Sequence, residues 1–240
     1  MGKKVIFVLM LFVFLFGLSL LLFPLWNGAL VDRQIGQTVE QFLSREDSTV
    51  LETESTDPPE EQRPYAELWE EMHAYNENLY AQKQAGLNGT DDFRGSSFHL
   101  QDYGRTDEVF AVLTIPKISL DMPVYLGATD GNLASGAAHL SQTSLPIGGE
   151  NTNCVIAGHR GWNGAAYFRY VPDLEKGDFV TLQNLWETLT YVVVDTQIIA
   201  PNDVDAIHIQ EGRDLLTLLT CHPYASGGKQ RFLVICERIE

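Results

Sequence analysis

Cys221, His159 and Arg231 are the residues whose types and settings suit covalent acyl chemistry. Cys221 follows the apolar run Leu215-Leu216-Thr217-Leu218-Leu219-Thr220 and precedes His222-Pro223-Tyr224. A thiol at the end of a strand, just before a proline-enforced turn, sits at a rim and not in a core. His159 ends a second apolar run, residues 154–157, with Gly158 before it and Arg160-Gly161 after it. Arg231 opens the last apolar run, and a small polar loop, Ala225-Ser226-Gly227-Gly228-Lys229-Gln230, separates it from Cys221. If these two runs pair as a hairpin, Cys221 lies across from Arg231. The chemistry of such a trio is coherent. A thiolate attacks a carbonyl, an imidazolium protonates the departing amine, and a permanently charged guanidinium steadies the oxyanion. His139 and His222 compete with His159 for the proton-transfer role, and Cys154 and Cys236 read as small buried hydrophobes. No CxxC or HExxH spacing supports a metal site, and no cofactor is expected.

The elements that must hold these residues are strands. Residues 109–115, 153–157, 179–182, 191–194, 215–220 and 232–236 are short apolar runs punctuated by Gly and Pro. That pattern predicts an antiparallel barrel or sandwich, with short helices near residues 133–138 and 165–174. Ahead of it, Pro64 opens an amphipathic helix. Tyr65, Leu68, Trp69, Met72, Tyr75 and Leu79 recur at spacings of three and four, with Glu67, Glu70, Glu71 and Glu77 on the other face. Residues 86–107 carry turn chemistry without a period and read as a long loop or lid.

The chain has 240 residues, 45% of them hydrophobic, so a packed core is expected. Its 16 basic residues against 32 acidic ones argue against a nucleic-acid partner, which needs clustered cations. No charge interrupts residues 5–31, and residues 5–26 are almost wholly Leu, Phe, Val and Ile. About 20 such residues cross a bilayer as a helix. Lys3 and Lys4 at its start put the N-terminus in the cytoplasm and the rest outside; Pro24 marks its outer end. A cleaved signal peptide competes, though its apolar core is usually shorter. The expected organisation is a cytoplasmic tip and anchor at residues 1–31 and a solvated acidic stalk at 32–64. An amphipathic helix and lid loop at 65–107 and a catalytic barrel at 108–240 complete it.

The words around these positions resemble the sortases, membrane-anchored cysteine transpeptidases of Gram-positive bacteria. Thr217-Leu218-Leu219-Thr220-Cys221 is similar to their TLxTC motif. Ala157-Gly158-His159-Arg160-Gly161 is similar to the segment bearing their histidine, and Arg231-Phe232-Leu233-Val234-Ile235-Cys236-Glu237-Arg238 to their final strand. Ala138-His139-Leu140 and Thr143-Ser144-Leu145-Pro146-Ile147-Gly148-Gly149 resemble class C, the pilin-polymerising members, as do Tyr75-Asn76 and Cys221-His222-Pro223-Tyr224. The resemblance implies a closed antiparallel sortase-type barrel. It also implies Cys221, His159 and Arg231 as catalytic residues, with Thr220 positioning substrate. The implied substrate is an LPXTG-type sorting signal, cleaved after Thr and passed to a pilin Lys or, in a housekeeping member, to a cell-wall peptide amine. Class C members carry a lid with an Asp-Pro-aromatic motif. Asp91-Asp92-Phe93 is the nearest match here and lacks the proline. A secreted cysteine protease and a non-enzymatic adhesion or scaffold domain are the other readings of the same residues.

Overall fold

The computed structural model of the chain describes residues 2–50, 63–88, 95–96 and 98–239. The expected lid residues Asp91, Asp92 and Phe93 lie outside the described residues.

Eight strands close into a barrel in the order β1-β2-β3-β4-β7-β8-β6-β5. They are β1 (Val109–Ile115), β2 (Leu120–Leu126), β3 (Ala137–His139), β4 (Thr152–Ala157), β5 (Phe179–Gln183), β6 (Thr188–Ile199), β7 (Asp214–His222) and β8 (Gln230–Arg238). Neighbours are antiparallel except β2 with β3 and β4 with β7, which run parallel. Closure leaves no edge to pair with another chain. The interior is filled by alternate strand residues such as Phe110, Leu113, Ile156, Leu182, Leu218 and Val234, each under 2% exposed.

Two strands escaped the sequence reading. Pro123 makes β2 look like a non-strand, yet β3 pairs only from Val124 onward, so the proline sits just beyond that parallel ladder. β3 lies where a helix was expected. The helix there, α3 (Asp130–Ser135), ends earlier, at Gly136, whose backbone lies so close to Pro123 that a side chain would clash with the Pro123 carbonyl. The second expected helix is a 3₁₀ turn at Tyr167–Asp173, containing Pro172.

The N-terminal third differs more. Helix α1 runs without a break from Gly2 to Val50, through Pro24 and through the first part of the expected stalk. Residues beyond the apolar run explain this: Ile35, Val39 and Phe42 fall on one helical face and are buried against the barrel, where they join its core. Asp32, three positions before Ile35, lies on the same side and lines a cleft with Ile35, Tyr167 and Tyr170, while Glu40 is exposed. The first half of α1 is long and apolar enough to cross a membrane, with those side chains exposed.

Helix α2 (Ala66–Ala81) buries Leu68, Met72, Asn76 and Leu79. Asn76 acts as a clip to the barrel: its Oδ1 accepts from the Leu145 amide at 2.7 Å and its Nδ2 donates to the Leu145 carbonyl at 3.4 Å. Trp186 Nε1 adds a bond to the Pro64 carbonyl at the helix entrance, 2.6 Å long.

Candidate active site

Three adjacent strands, β4, β7 and β8, deliver the trio to one end of the barrel. In the β7–β8 hairpin Cys221 and Arg231 stand opposite each other in register. Both reach over Gly228: a methyl group placed there would lie 3.0 Å from Arg231 Nη1 and 3.4 Å from Cys221 Sγ. Gly227 and Gly228 have φ of +71° and +77°, a left-handed pair that lets the loop fold back beneath the two side chains. Arg231 Nη1 donates to the Gly228 carbonyl at 2.7 Å and to the Gln230 carbonyl at 3.2 Å, which pins the guanidinium beside the sulfur.

His159 arrives by the parallel pair. Ala157 of β4 is in register with Leu219 of β7, so His159 and Cys221, each two residues further on, stand at equivalent positions on neighbouring segments. Adjacent strands lie about 4.8 Å apart. The Gly158 amide continues the ladder to the Leu219 carbonyl at 3.0 Å, and Thr220 Oγ1 donates to the Gly158 carbonyl at 2.8 Å. Thr220 is buried at 1% exposed, so this bond is a staple between the strand that carries Cys221 and the segment that carries His159. Gly158 itself cannot be replaced by a larger residue without striking the Phe168 ring, 2.7 Å from where its Cβ would be. The imidazole of His159 stacks on Trp162, with centroids 4.5 Å apart and planes 16° apart, and meets the edge of Tyr167. Desolvation lowers its pKa, partly offset by the negative charge of Asp130.

The competing groups are placed elsewhere. His139 is buried at 3% exposed, its Nε2 bonded to Thr143, and burial pushes its pKa down to about 4. It is a neutral core residue. His222 receives a hydrogen bond at Nδ1 from Arg160 Nη1, 2.8 Å away; since a guanidinium only donates, His222 is an acceptor there and not available as a base at that nitrogen. Arg160 also reaches the Cys221 carbonyl at 3.4 Å. Cys154 and Cys236 are buried, and desolvation raises both thiols, Cys236 to about 12. Cys221 is the partly exposed thiol of the three.

Cys221, His159, Arg231 and Thr220 line a single cleft of about 520 Å³, within the range of ligand-binding pockets. Its floor continues over Leu133, Leu140, Ile199, Val204 and Ile207, with Asp130 and Asp203 at the margin. Sequence reading missed this apolar trough, because its residues come from two segments, 133–140 and 199–207, far apart in the chain. It also missed Arg160 and Trp162, although both stand within three positions of His159.

A closed barrel with a rim cysteine, histidine and arginine on adjacent strands defines a cysteine acyltransferase of the sortase type. A sortase-domain family model matches residues 113–239, and the chain belongs to the sortase family of cysteine transpeptidases. Among solved structures it is similar to sortase C-1 from Actinomyces oris, with 33% identity and a TM-score of 0.61 over 73% of this chain and 99% of that one. It is also similar to Streptococcus pneumoniae sortase C, with 31% identity and a TM-score of 0.65 over 83% of this chain and 97% of that one. Sortase D of Bacillus subtilis (strain 168) is 31% identical over 136 residues, 56% of this chain. The chain spans 66% of that relative, just under two thirds of its length.

Proposed function

We propose that the chain is a membrane-tethered pilin sortase that cleaves an LPXTG-type sorting signal between Thr and Gly and transfers the acyl group to a pilin Lys. The observation that carries this reading is the convergence of Cys221, His159 and Arg231 on one cleft with an apolar floor. The Cys221 thiolate adds to the Thr carbonyl, and the Arg231 guanidinium donates to the resulting oxyanion. Collapse breaks the Thr–Gly bond while the His159 imidazolium gives its proton to the leaving amine. The neutral imidazole then takes a proton from the incoming amine as that amine attacks the thioester, and the thiolate leaves. Thr220 holds the His159 segment at working distance. Asp91 or Asp92 and Phe93 would serve as a lid over Arg231 and Cys221.

Transfer to a pilin is supported by similarity to several sortase C structures, including the Streptococcus pneumoniae enzyme, whose structure bears on pilin substrate specificity. Tethering is supported by the exposed apolar half of α1, with the N-terminus inside and the barrel outside by the charge flanking it. The test is a product analysis of the full chain in detergent with an LPXTG peptide. It is run with no amine, with a Lys-bearing pilin peptide, and with a cell-wall peptide amine. Ligation to the Lys peptide, lost in Cys221→Ala, is expected. Preference for the wall amine would make it a housekeeping sortase, and release to water alone in every arm would make it a protease.

A further inference from the structure

The loop that follows His159 is fastened to the end of the apolar helix. Asn27 Nδ2 donates to the Asn163 carbonyl at 2.9 Å. Gly28 and Gly164 are in backbone contact: a Cβ on Gly28 would lie 2.6 Å from the Gly164 carbonyl carbon, and one on Gly164 would clash with the Pro24 carbonyl. At about 1.5 Å per residue the apolar residues 5–26 span about 33 Å, close to the roughly 30 Å of a hydrocarbon core. If residues 5–26 fill the core, residues 24–28 stand at its outer boundary, and the loop bound to them stands at the depth of the lipid headgroups.

The side chains around that loop have the chemistry of the headgroup layer. Trp162, Tyr170 and Tyr224 are 43%, 47% and 52% exposed, large aromatics with a polar tip that favour the membrane–water boundary. Between them lies Arg169, whose Nη2 donates to the Tyr224 hydroxyl at 2.9 Å and whose guanidinium stacks over that ring at 4.9 Å. Among the described residues neither Arg169 nor its neighbour Arg160 forms an ion pair with a carboxylate. In a chain of net charge -16 that is an unusual place for uncompensated cations.

We infer that the rim formed by Trp162, Arg169, Tyr170 and Tyr224 seats on an anionic phospholipid bilayer, so that the Cys221 cleft opens at the membrane surface. This rests on the tethering read above and adds a second contact with the membrane, made by the catalytic domain itself. Arg169 meets lipid phosphate, and the aromatics sit among the headgroups. The consequence is a fixed orientation that holds Cys221 close to that surface.

The test uses the full chain carrying Cys221→Ala, with a nitroxide at Tyr170→Cys, in vesicles of phosphatidylcholine with or without phosphatidylglycerol. Cys154 and Cys236 are buried and do not take the label. A reference label at Glu211→Cys stands beyond the far end of β7, roughly 23 Å along that strand from Cys221. The ratio of oxygen to water-soluble nickel collisions is expected to be several-fold higher at position 170 than at 211 in phosphatidylglycerol vesicles. Adding Arg169→Gln should lower it toward the reference. A label at Tyr224→Cys repeats the measurement if the first variant fails to fold. Equal ratios at 170 and 211 in chain that still floats with the vesicles would overturn the seating and leave the tether intact. Chain that does not float overturns both. A signal at 170 that appears only when a pilin is added would assign the face to protein and overturn the lipid assignment.

Discussion

Thr220→Val isolates the staple between the cysteine strand and the histidine segment. The substitution keeps the branched shape and removes the hydroxyl that donates to the Gly158 carbonyl over 2.8 Å. That carbonyl belongs to the residue immediately before His159, and the hydroxyl is in a site only 1% exposed. A buried hydrogen bond contributes about 1 kcal/mol, and a buried acceptor left without a partner costs about 1–3 kcal/mol. A stability loss of about 1–2 kcal/mol is therefore expected in urea unfolding of the detergent-solubilised chain. The catalytic effect should be larger. Freeing Gly158 lets the imidazole drift, and a displacement near 1 Å can cost up to about 100-fold. The expected result is a fall in kcat of about 10–100-fold with KM little changed. Thr220→Ser, which restores the donor, should recover most of it. Steady-state ligation of an LPXTG peptide to a Lys peptide reads both constants. A Val variant with wild-type kcat, or a Ser variant as impaired as Val, would refute the staple. A defect confined to KM would instead make Thr220 a direct substrate contact.

The rate should follow a bell in pH. Because desolvation lowers the His159 pKa, its acid limb should lie below the ordinary 6.5, and Asp130→Asn should move that limb lower still; a flat rate from pH 5 to about 9 would contradict the thiolate–imidazolium pair. Arg231→Ala should lower kcat/KM by about 100- to 1000-fold, and Arg231→Lys should not restore it, since a lysine lacks the forked donors; wild-type rates in the Lys variant would count against an oxyanion role. His139 governs acid stability separately. Its folded pKa of about 4 lies below the ordinary 6.5, so its contribution is complete above pH 6.5 and is lost as pH falls toward 4, by about 3 kcal/mol. Urea midpoints from pH 7 to 4 check this, and a midpoint independent of pH in that range would oppose it.

What could be read from the sequence was local. Leu215–Thr220 is an uninterrupted apolar run ending in a polar loop, and that alone predicts the hairpin that sets Cys221 against Arg231, the register observed. The burial of Cys154 and Cys236 followed from their apolar neighbours. What could not be read came from pairing at a distance. The parallel match of β4 with β7, which brings His159 beside Cys221, joins residues more than sixty positions apart and leaves no periodic mark. Pro123 disguised β2 because the proline rule depends on which neighbour is missing, a fact of topology. The continuation of α1 was hidden because its buried apolar residues Ile35, Val39 and Phe42 are few and widely spaced in a sequence that is otherwise polar and acidic.

The central claim is that the sulfur of Cys221 carries the acyl group. Intact-mass and peptide-mapping mass spectrometry of the full chain, mixed with an LPXTG peptide and quenched before an amine is added, examines it directly. The mass increment of the peptide through its Thr should be found on Cys221 in the wild type and be absent from Cys221→Ala. An increment on Cys154 or Cys236, or cleavage of the peptide by the Cys221→Ala chain, would contradict it.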